Sequence, residues 1–338
     1  MGAPMAGPSG GLLAAESCRA GALGFVAAGH LHDLTALNAE IAVFREKAPP
    51  DAPLCIGFIG HSSLKDADGW DRFQRVLKEH KPDVVQFFAP AITVNAAGKS
   101  NVDMAHEYAA KVIAQVGSVK DGVEALEAGV DCLIAQGSEA GGHGLRRELG
   151  SGTLPLASQL VLVAADSYPN VPVLAAGGIM DGRGVAAALA LGCDGAVLGT
   201  RLWASQEAKG KDSYKALLVA ASSCDDVIRT TVFDHIQNEY FSTPWPEPYD
   251  SLGALRNATS DAWDGRPSEL HKEFKDANSS LVSDYRKADM EGNTDIAPVL
   301  GGQGVGEIVS IDTAFGIITR INIEAMDTIR SMQGLLQG

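Results

Sequence analysis

The first 205 residues repeat one pattern of hydrophobic and polar positions. A short, continuous apolar run is followed by a glycine or polar turn and then by an Ala-rich helical stretch. Continuous apolar runs of this length are typical of parallel strands that are buried on both faces. The pattern predicts seven such strands, at Leu23–Ala28, Leu54–Ile59, Val84–Phe88, Val112–Val116, Cys132–Gln136, Val173–Ala176 and Ala196–Leu198.

The stretches between these runs predict helices, among them Trp70–His80 and Lys120–Ala128. An eighth strand is expected in the stub Gly2–Met5, so most of an ordinary first strand would precede Met1. Eight alternating units predict an α/β fold, the (β/α)8 TIM barrel. A doubly wound open sheet is the competing architecture.

After Ser205 the pattern changes, which predicts a barrel in residues 1–205 and an appended, mostly helical lid or side domain in 206–300. The second segment is more polar, contains the Trp- and Pro-rich Thr243–Tyr249, and has a charged helical stretch at Pro267–Lys287. Residues 301–338 predict a glycine loop followed by an amphipathic helix, Thr313–Leu336, that packs back on the barrel. Its expected apolar face consists of Ile317, Ile318, Ile321, Ile323 and Met326.

Charge and cysteine content narrow the classes of function. The formal net charge is −15 in 338 residues, which disfavours binding to nucleic acid or to an anionic membrane surface. The five cysteines are widely spaced and form no C-x-x-C pair, so we expect no metal site and a reducing, cytoplasmic location. The oligomeric state stays open, a homodimer included.

Glycine turns follow the last two predicted strands. Gly177 and Gly178 come after one, and Gly199 and Thr200 after the other. TIM barrels commonly bind phosphate with these two loops, and a residue without Cβ lets backbone N–H groups approach the phosphate oxygens. The pattern therefore favours a phosphate site over ordinary tight turns.

A histidine lies between glycines in the loop after Cys132–Gln136. Gly141 and Gly142 precede His143, and Gly144 follows it. Glycines let the backbone pass close to a planar ligand, and a neutral imidazole is a competent base near pH 7. His143 is therefore the candidate catalytic residue. Glu139 could orient its ring or could simply be a surface carboxylate.

Several motifs, in order along most of the chain, resemble those of the nitronate monooxygenase (2-nitropropane dioxygenase) family. The Glu-Ala-Gly-Gly-His segment, residues 139–143, is the most specific of them. The others are Ala3-Pro4-Met5, Ala-Ala-Gly-Gly-Ile at 175–179, Leu-Gly-Thr-Arg at 198–201, Trp245-Pro246 and Leu255-Arg256-Asn257. The resemblance implies non-covalently bound FMN and oxidation of alkyl nitronates, in some members also of neutral nitroalkanes, by dioxygen.

The resemblance also implies a role for each matching residue. His143 would face the flavin across the substrate, and Gly141 and Gly142 would lie beside the ring. Gln115 and Gln136 would hydrogen-bond the ring heteroatoms, although some relatives carry Lys in place of Gln115. The ring would lie along Ala3, Pro4 and Met5, and the phosphate would be held by Gly177, Gly178, Gly199 and Thr200.

The sequence thus predicts FMN-dependent oxidation of alkyl nitronates by dioxygen to carbonyl compounds and nitrite. Its partners would be a small nitro compound and dioxygen. The alternative is an NAD(P)H-dependent FMN reductase of quinones or enoyl thioesters on the same barrel. A binding protein that retains flavin without turnover is a third hypothesis, which the intact His143 disfavours.

Overall fold

The computed structural model describes residues 1–31 and 33–334. Within these ranges, seven parallel strands form one sheet. Each of them pairs with the strand of this sheet that follows it along the chain. They are β1 (Val26–Ala27), β2 (Cys55–Ile59), β3 (Val84–Phe88), β4 (Lys111–Val116), β5 (Cys132–Gln136), β7 (Val173–Ala176) and β8 (Gly195–Val197); the short β6 (Gly142–Gly144) belongs to a second sheet.

The first three residues join the two edges of this sheet. Gly2 N–H donates to the Leu23 carbonyl at 2.9 Å, and Ala3 N–H donates to the Leu198 carbonyl at 3.0 Å. A doubly wound sheet reverses its strand order at a switch point, whereas this order runs in one direction and closes. The TIM barrel is therefore confirmed, although the predicted strand Gly2–Met5 is reduced to one bridge between Gly2 and Leu198.

Helices follow the strands of the barrel as the sequence predicts. The helix after Ser118 begins at Val119, where the Ser118 hydroxyl accepts from the Asp121 N–H. The helix predicted from Trp70 begins earlier, because the Asp66 carboxylate accepts from the Gly69 N–H and caps it. These helices are α1 (Gly11–Arg19), α2 (Leu34–Lys47), α3 (Gly60–Ser63), α4 (Ala67–His80), α5 (Asn101–Glu107), α6 (Val119–Glu127), α7 (Thr153–Ser167), α8 (Gly182–Ala190) and α9 (Thr200–Trp203).

Residues 206–300 form helices around a small antiparallel sheet. The prediction of one helical stretch over Pro267–Lys287 is wrong, because the helix breaks between Lys275 and Leu281. There the Asp276 and Ser279 side chains accept from nearby backbone N–H groups, and such side chains favour caps and turns. The elements are α10 (Asp212–Ala220), a 3-10 turn (Cys224–Asp226), β9 (Val227–Thr230), α11 (Val232–Asn238), β10 (Ser251–Leu255), α12 (Ala258–Trp263), α13 (Pro267–Lys275) and α14 (Leu281–Glu291).

The strand β10 connects this segment to the barrel. On one side β10 pairs antiparallel with β9, and on the other with β6, where Leu252 lies opposite His143. A separate apolar cluster supports this sheet and includes the fully buried Phe233 and Tyr285. The strand that carries the candidate catalytic histidine is therefore held by residues 206–300.

After a 3-10 turn (Gln303–Glu307), the last described element is α15 (Ala314–Gly334), which packs against α8 and α1. Ile317, Ile318 and Ile321 are buried as predicted, but Ile323 is 50% and Met326 40% exposed. At about 3.6 residues per turn, Ile323 lies roughly 200° around the helix from Ile321, so the buried face is narrower than predicted. The predicted end at Leu336 lies outside the described residues.

The five cysteines are all free, and Cys55 and Cys132 are buried in strands of the barrel. Across residues 1–31 and 33–334, no helix is both long and apolar enough to cross a membrane.

Candidate active site

A cavity opens at the carboxyl ends of the barrel strands, and all twelve residues predicted for the site line it. The catalytic candidate, His143, is among them. The others are Ala3, Pro4, Met5, Gln115, Gln136, Gly141, Gly142, Gly177, Gly178, Gly199 and Thr200. The parallel topology brings these residues together although they are as much as 197 positions apart.

One wall of the cavity is the N-terminal turn Ala3–Met5. The Ser9 hydroxyl donates to the Ala3 carbonyl at 2.8 Å, and the Met5 N–H donates back to that hydroxyl at 3.3 Å. Ser9 is buried, and its own N–H donates to the Met5 carbonyl. The turn therefore has a fixed shape and presents apolar side chains to the cavity.

Two buried amides present complementary hydrogen-bonding groups at the floor of the cavity. Gln136 Nε2 donates to the His143 carbonyl at 2.8 Å, while its Oε1 is buried and accepts from none of the described residues. Gln115 Oε1 accepts from Gln86 Nε2 at 3.2 Å, which leaves the Gln115 NH2 group to donate. The floor therefore offers an acceptor and a donor to a ligand.

The glycine turns after β7 and β8 offer backbone N–H groups. Gly177 and Gly178 have φ of 118° and 70°, the region that glycine adopts readily. Within residues 1–31 and 33–334, the N–H groups of Gly178, Gly199 and Thr200 donate to no protein acceptor. The Thr200 hydroxyl accepts from the Gly302 N–H at 2.9 Å, which ties this turn to the predicted glycine loop.

His143 is held on its edge and on its face by residues from 206–300. Its Nε2 lies 2.8 Å from Asp234 Oδ1, and the Asp234 side chain is 1% exposed. The Trp245 ring stacks on the imidazole with 3.6 Å between centroids and 14° between planes. Both contacts restrict rotation of the ring, so the imidazole has a defined orientation in the cavity wall.

Glu139, the nearest acidic residue before His143 in the sequence, does not orient the His143 ring. Its Oε2 accepts from the Thr153 N–H and from the Thr153 hydroxyl, each at 2.7 Å. Thr153 is the first residue of α7, whose N-terminus favours a negative charge. Glu139 therefore caps α7, and Asp234 takes the place beside His143.

A buried arginine holds the loop that leads to His143. Arg229, in β9, donates to the carbonyls of Ser138 at 3.2 Å, Ala140 at 2.6 Å and Ser251 at 3.1 Å. Burial lowers the pKa of Arg229 to about 10, so the guanidinium stays charged at neutral pH. Three carbonyl acceptors compensate part of its desolvation and fix the loop against β10.

The Trp245 segment closes the outer side of the site. Trp245 also contacts His61, with 4.6 Å between ring centroids, and burial lowers the pKa of His61. Arg146 pairs with both Glu247 and Asp250 at 2.6 Å, which anchors the chain just after Trp245. The imidazole of His143 is thus covered by an anchored aromatic side chain.

Sequence reasoning missed Asp234 and did not assign a role to Trp245 or Gln86. Asp234 carried one signal, since it is an acidic residue inside the apolar stretch Val232–Ile236. Trp245 belongs to the motif Trp-Pro that supported the resemblance. Gln86 lies within an apolar strand, where a buried amide requires a partner, and its Nε2 donates to Gln115 Oε1 and to the Phe87 carbonyl.

Comparisons with known proteins identify the family of the chain. The nitronate monooxygenase family model matches residues 1–322. The nitronate monooxygenase of Neurospora crassa is 33% identical, in an alignment that covers 98% of this chain and 90% of that protein.

Two solved structures have a similar fold. FabK from Thermotoga maritima superposes with a TM-score of 0.74 at 27% identity and covers 99% of this chain and 94% of its own. The nitroalkane oxidase of Streptomyces ansochromogenes superposes with a TM-score of 0.75 at 24% identity, covering 98% and 96%. The family model and the Neurospora relative each extend over nearly the whole chain. The chain therefore belongs to the nitronate monooxygenase family of FMN-dependent oxidoreductases, which oxidise nitronates.

Proposed function

We propose that this protein binds FMN in the barrel cavity and oxidises alkyl nitronates with dioxygen to carbonyl compounds and nitrite. The observation that carries the proposal is the convergence of all twelve predicted site residues on one cavity. The protein's partners are then a small nitro compound and dioxygen.

The groups at the cavity wall suit FMN. The unpartnered Gln136 Oε1 and the free NH2 of Gln115 complement the N–H donor and carbonyl acceptors of the flavin pyrimidine ring. The free backbone N–H groups of Gly178, Gly199 and Thr200 suit a single phosphate. No dinucleotide-binding fold is present in the described chain, which favours FMN over FAD.

The role of His143 follows from its place in the cavity wall. FMN, when bound, supplies the electron-transfer chemistry. A neutral nitroalkane must first lose its α-proton, and the imidazole of His143 is positioned to accept it. The electron pair of the broken C–H bond then moves onto the nitro group, which gives the nitronate. A preformed nitronate needs no base, and His143 then contacts and orients it.

The purified protein should be yellow, and heating it should release FMN. The substitution Gly199→Ala should reduce the affinity for FMN by at least about tenfold, or about 1.4 kcal/mol. A Cβ at Gly199 would meet Ala3 Cβ at 3.5 Å, an ordinary contact, and would project into the cavity. Gly178 is a poorer choice, because its φ of 70° strains any substitution with or without cofactor. FMN content and Kd measure the effect.

Gly150→Ala is the matched control for this measurement. A Cβ there also meets its nearest atom, the Arg146 carbonyl oxygen, at 3.5 Å, but Gly150 lies outside the cavity. FMN binding should be unchanged in this variant. Full FMN affinity in Gly199→Ala would show that the phosphate lies elsewhere, and a colourless protein that FMN cannot reconstitute would contradict the proposed function.

His143→Asn should lower turnover of a neutral nitroalkane by roughly 10²–10⁴-fold, the usual contribution of a general base. Turnover of the matching preformed nitronate should fall much less, since no proton has to leave. Both substrates share one carbon skeleton, so a change in binding affects them alike. Equal losses with FMN still bound would show that His143 does not act principally as the base.

The preferred nitronate should have an uncharged carbon chain. Among the described residues that line the cavity there is no aspartate, glutamate, lysine or arginine. A substrate carboxylate would be desolvated there with no permanently charged cation beside it, which is costly. We expect kcat/KM for propyl-1-nitronate to exceed that for propionate 3-nitronate by about tenfold or more, or about 1.4 kcal/mol. The opposite order would contradict this assignment.

The likeness to FabK keeps a second candidate function, an NAD(P)H-dependent FMN reductase of quinones or enoyl thioesters. The FabK structure superposes over 99% of this chain. Anaerobic mixing with NADH separates the two functions. We expect the flavin absorbance to persist with NADH and to fall on addition of an alkyl nitronate; rapid bleaching by NADH would favour the reductase.

A further inference from the structure

His143 has one nitrogen bound to a carboxylate and one nitrogen open to the cavity. Nε2 lies 2.8 Å from Asp234 Oδ1. Nδ1 bonds to none of the described residues, yet it is not enclosed by them, and the ring lines the cavity. Nδ1 is therefore the nitrogen that a substrate can reach.

Asp234 is a buried carboxylate whose side chain is 1% exposed and makes its contact with His143 through one oxygen only. Its neighbours Phe233 and Ile236 are fully buried, and its second oxygen, Oδ2, has no partner among the described residues. A buried, incompletely bonded carboxylate is costly for the fold. Glu139 illustrates the alternative, because two donors from Thr153 satisfy it at a helix end.

We propose that Asp234 is a positioning residue that keeps the proton of neutral His143 on Nε2 and so presents Nδ1 as the base to the substrate. The carboxylate accepts the Nε2–H, which fixes the tautomer and the direction of the ring. Stacking by Trp245 on the ring face prevents the ring from turning away. This inference rests on the proposed function.

The same contact assists the proton transfer. When Nδ1 takes the α-proton, the imidazole gains a positive charge beside Asp234, whose carboxylate stabilises it through the contact at Nε2. The proton therefore moves from substrate carbon to Nδ1, and no proton is transferred to Asp234.

Asp234→Asn tests the proposal, because it keeps the size of the side chain and removes its charge. The amide NH2 can donate to Nε2, which favours the tautomer with the proton on Nδ1. We expect turnover of a neutral nitroalkane to fall by roughly 10²–10⁴-fold with FMN content unchanged. NMR of the oxidised holoenzyme with 15N-labelled imidazoles, assigned by comparison with His143→Asn, should show the proton on Nε2 in the native protein and on Nδ1 in the variant.

The chain offers a matched control in a second histidine–aspartate pair. His106 Nε2 and Asp131 Oδ2 are also 2.8 Å apart, and Asp131 lies at the start of β5, at the end of the barrel opposite the cavity. Asp131→Asn should leave the His143 tautomer, FMN content and turnover unchanged. An equal loss of turnover in both variants would indicate general destabilisation and overturn the proposal.

The tautomer measurement separates this inference from the proposed function. The same His143 tautomer in native protein and Asp234→Asn would overturn the role of Asp234, whatever the substrate. A native holoenzyme that oxidises neither nitronates nor nitroalkanes would contradict the proposed function, and the shift of the proton from Nε2 to Nδ1 would then still support positioning by Asp234.

Discussion

The antiparallel pairing of β6 with β10 places His143 in the cavity wall. β6 is three residues long, and its histidine has a glycine on each side, so the segment has little conformational preference of its own. The position of the imidazole is therefore determined by the strand opposite, with Leu252 facing His143. Asp234 and Trp245 come from the same part of the chain as β10. The barrel supplies the cavity, and residues 206–300 orient the imidazole that we propose as the base.

Much of the fold could be predicted because its signals are local. Apolar runs of strand length and capped Ala-rich helices recur at short intervals, and each can be recognised without knowing its tertiary partners. The site glycines could be predicted for a related reason, since parallel topology brings the ends of all strands to one edge. The apolar face of α15 was overestimated at Ile323, because hydrophobicity alone does not show which positions meet the neighbouring helices.

The partner of His143 could not be identified in the same way. Asp234 is 91 positions away in the sequence, and its proximity depends on how β9, β10 and α11 pack together. Glu139 was the nearer candidate along the chain, but the N-terminus of α7 competes for its carboxylate and binds it through Thr153. Contacts that depend on tertiary packing of this kind leave at most a weak signal in one sequence, here an acidic residue within an apolar stretch.

Two buried charged side chains, Asp234 and Arg229, lie directly behind residues that line the cavity. Asp234 reaches the cavity through the imidazole of His143, and Arg229 through the carbonyl of Ala140. Neutral groups therefore line the cavity, while the buried charges act across them in a region of low dielectric constant, where electrostatic interactions are strong. Gln115 keeps the floor neutral as well. In such a lining, a proton gained by His143 would place a positive charge directly beside Asp234. The arrangement therefore suits proton transfer to this ring better than an ion pair with a charged substrate.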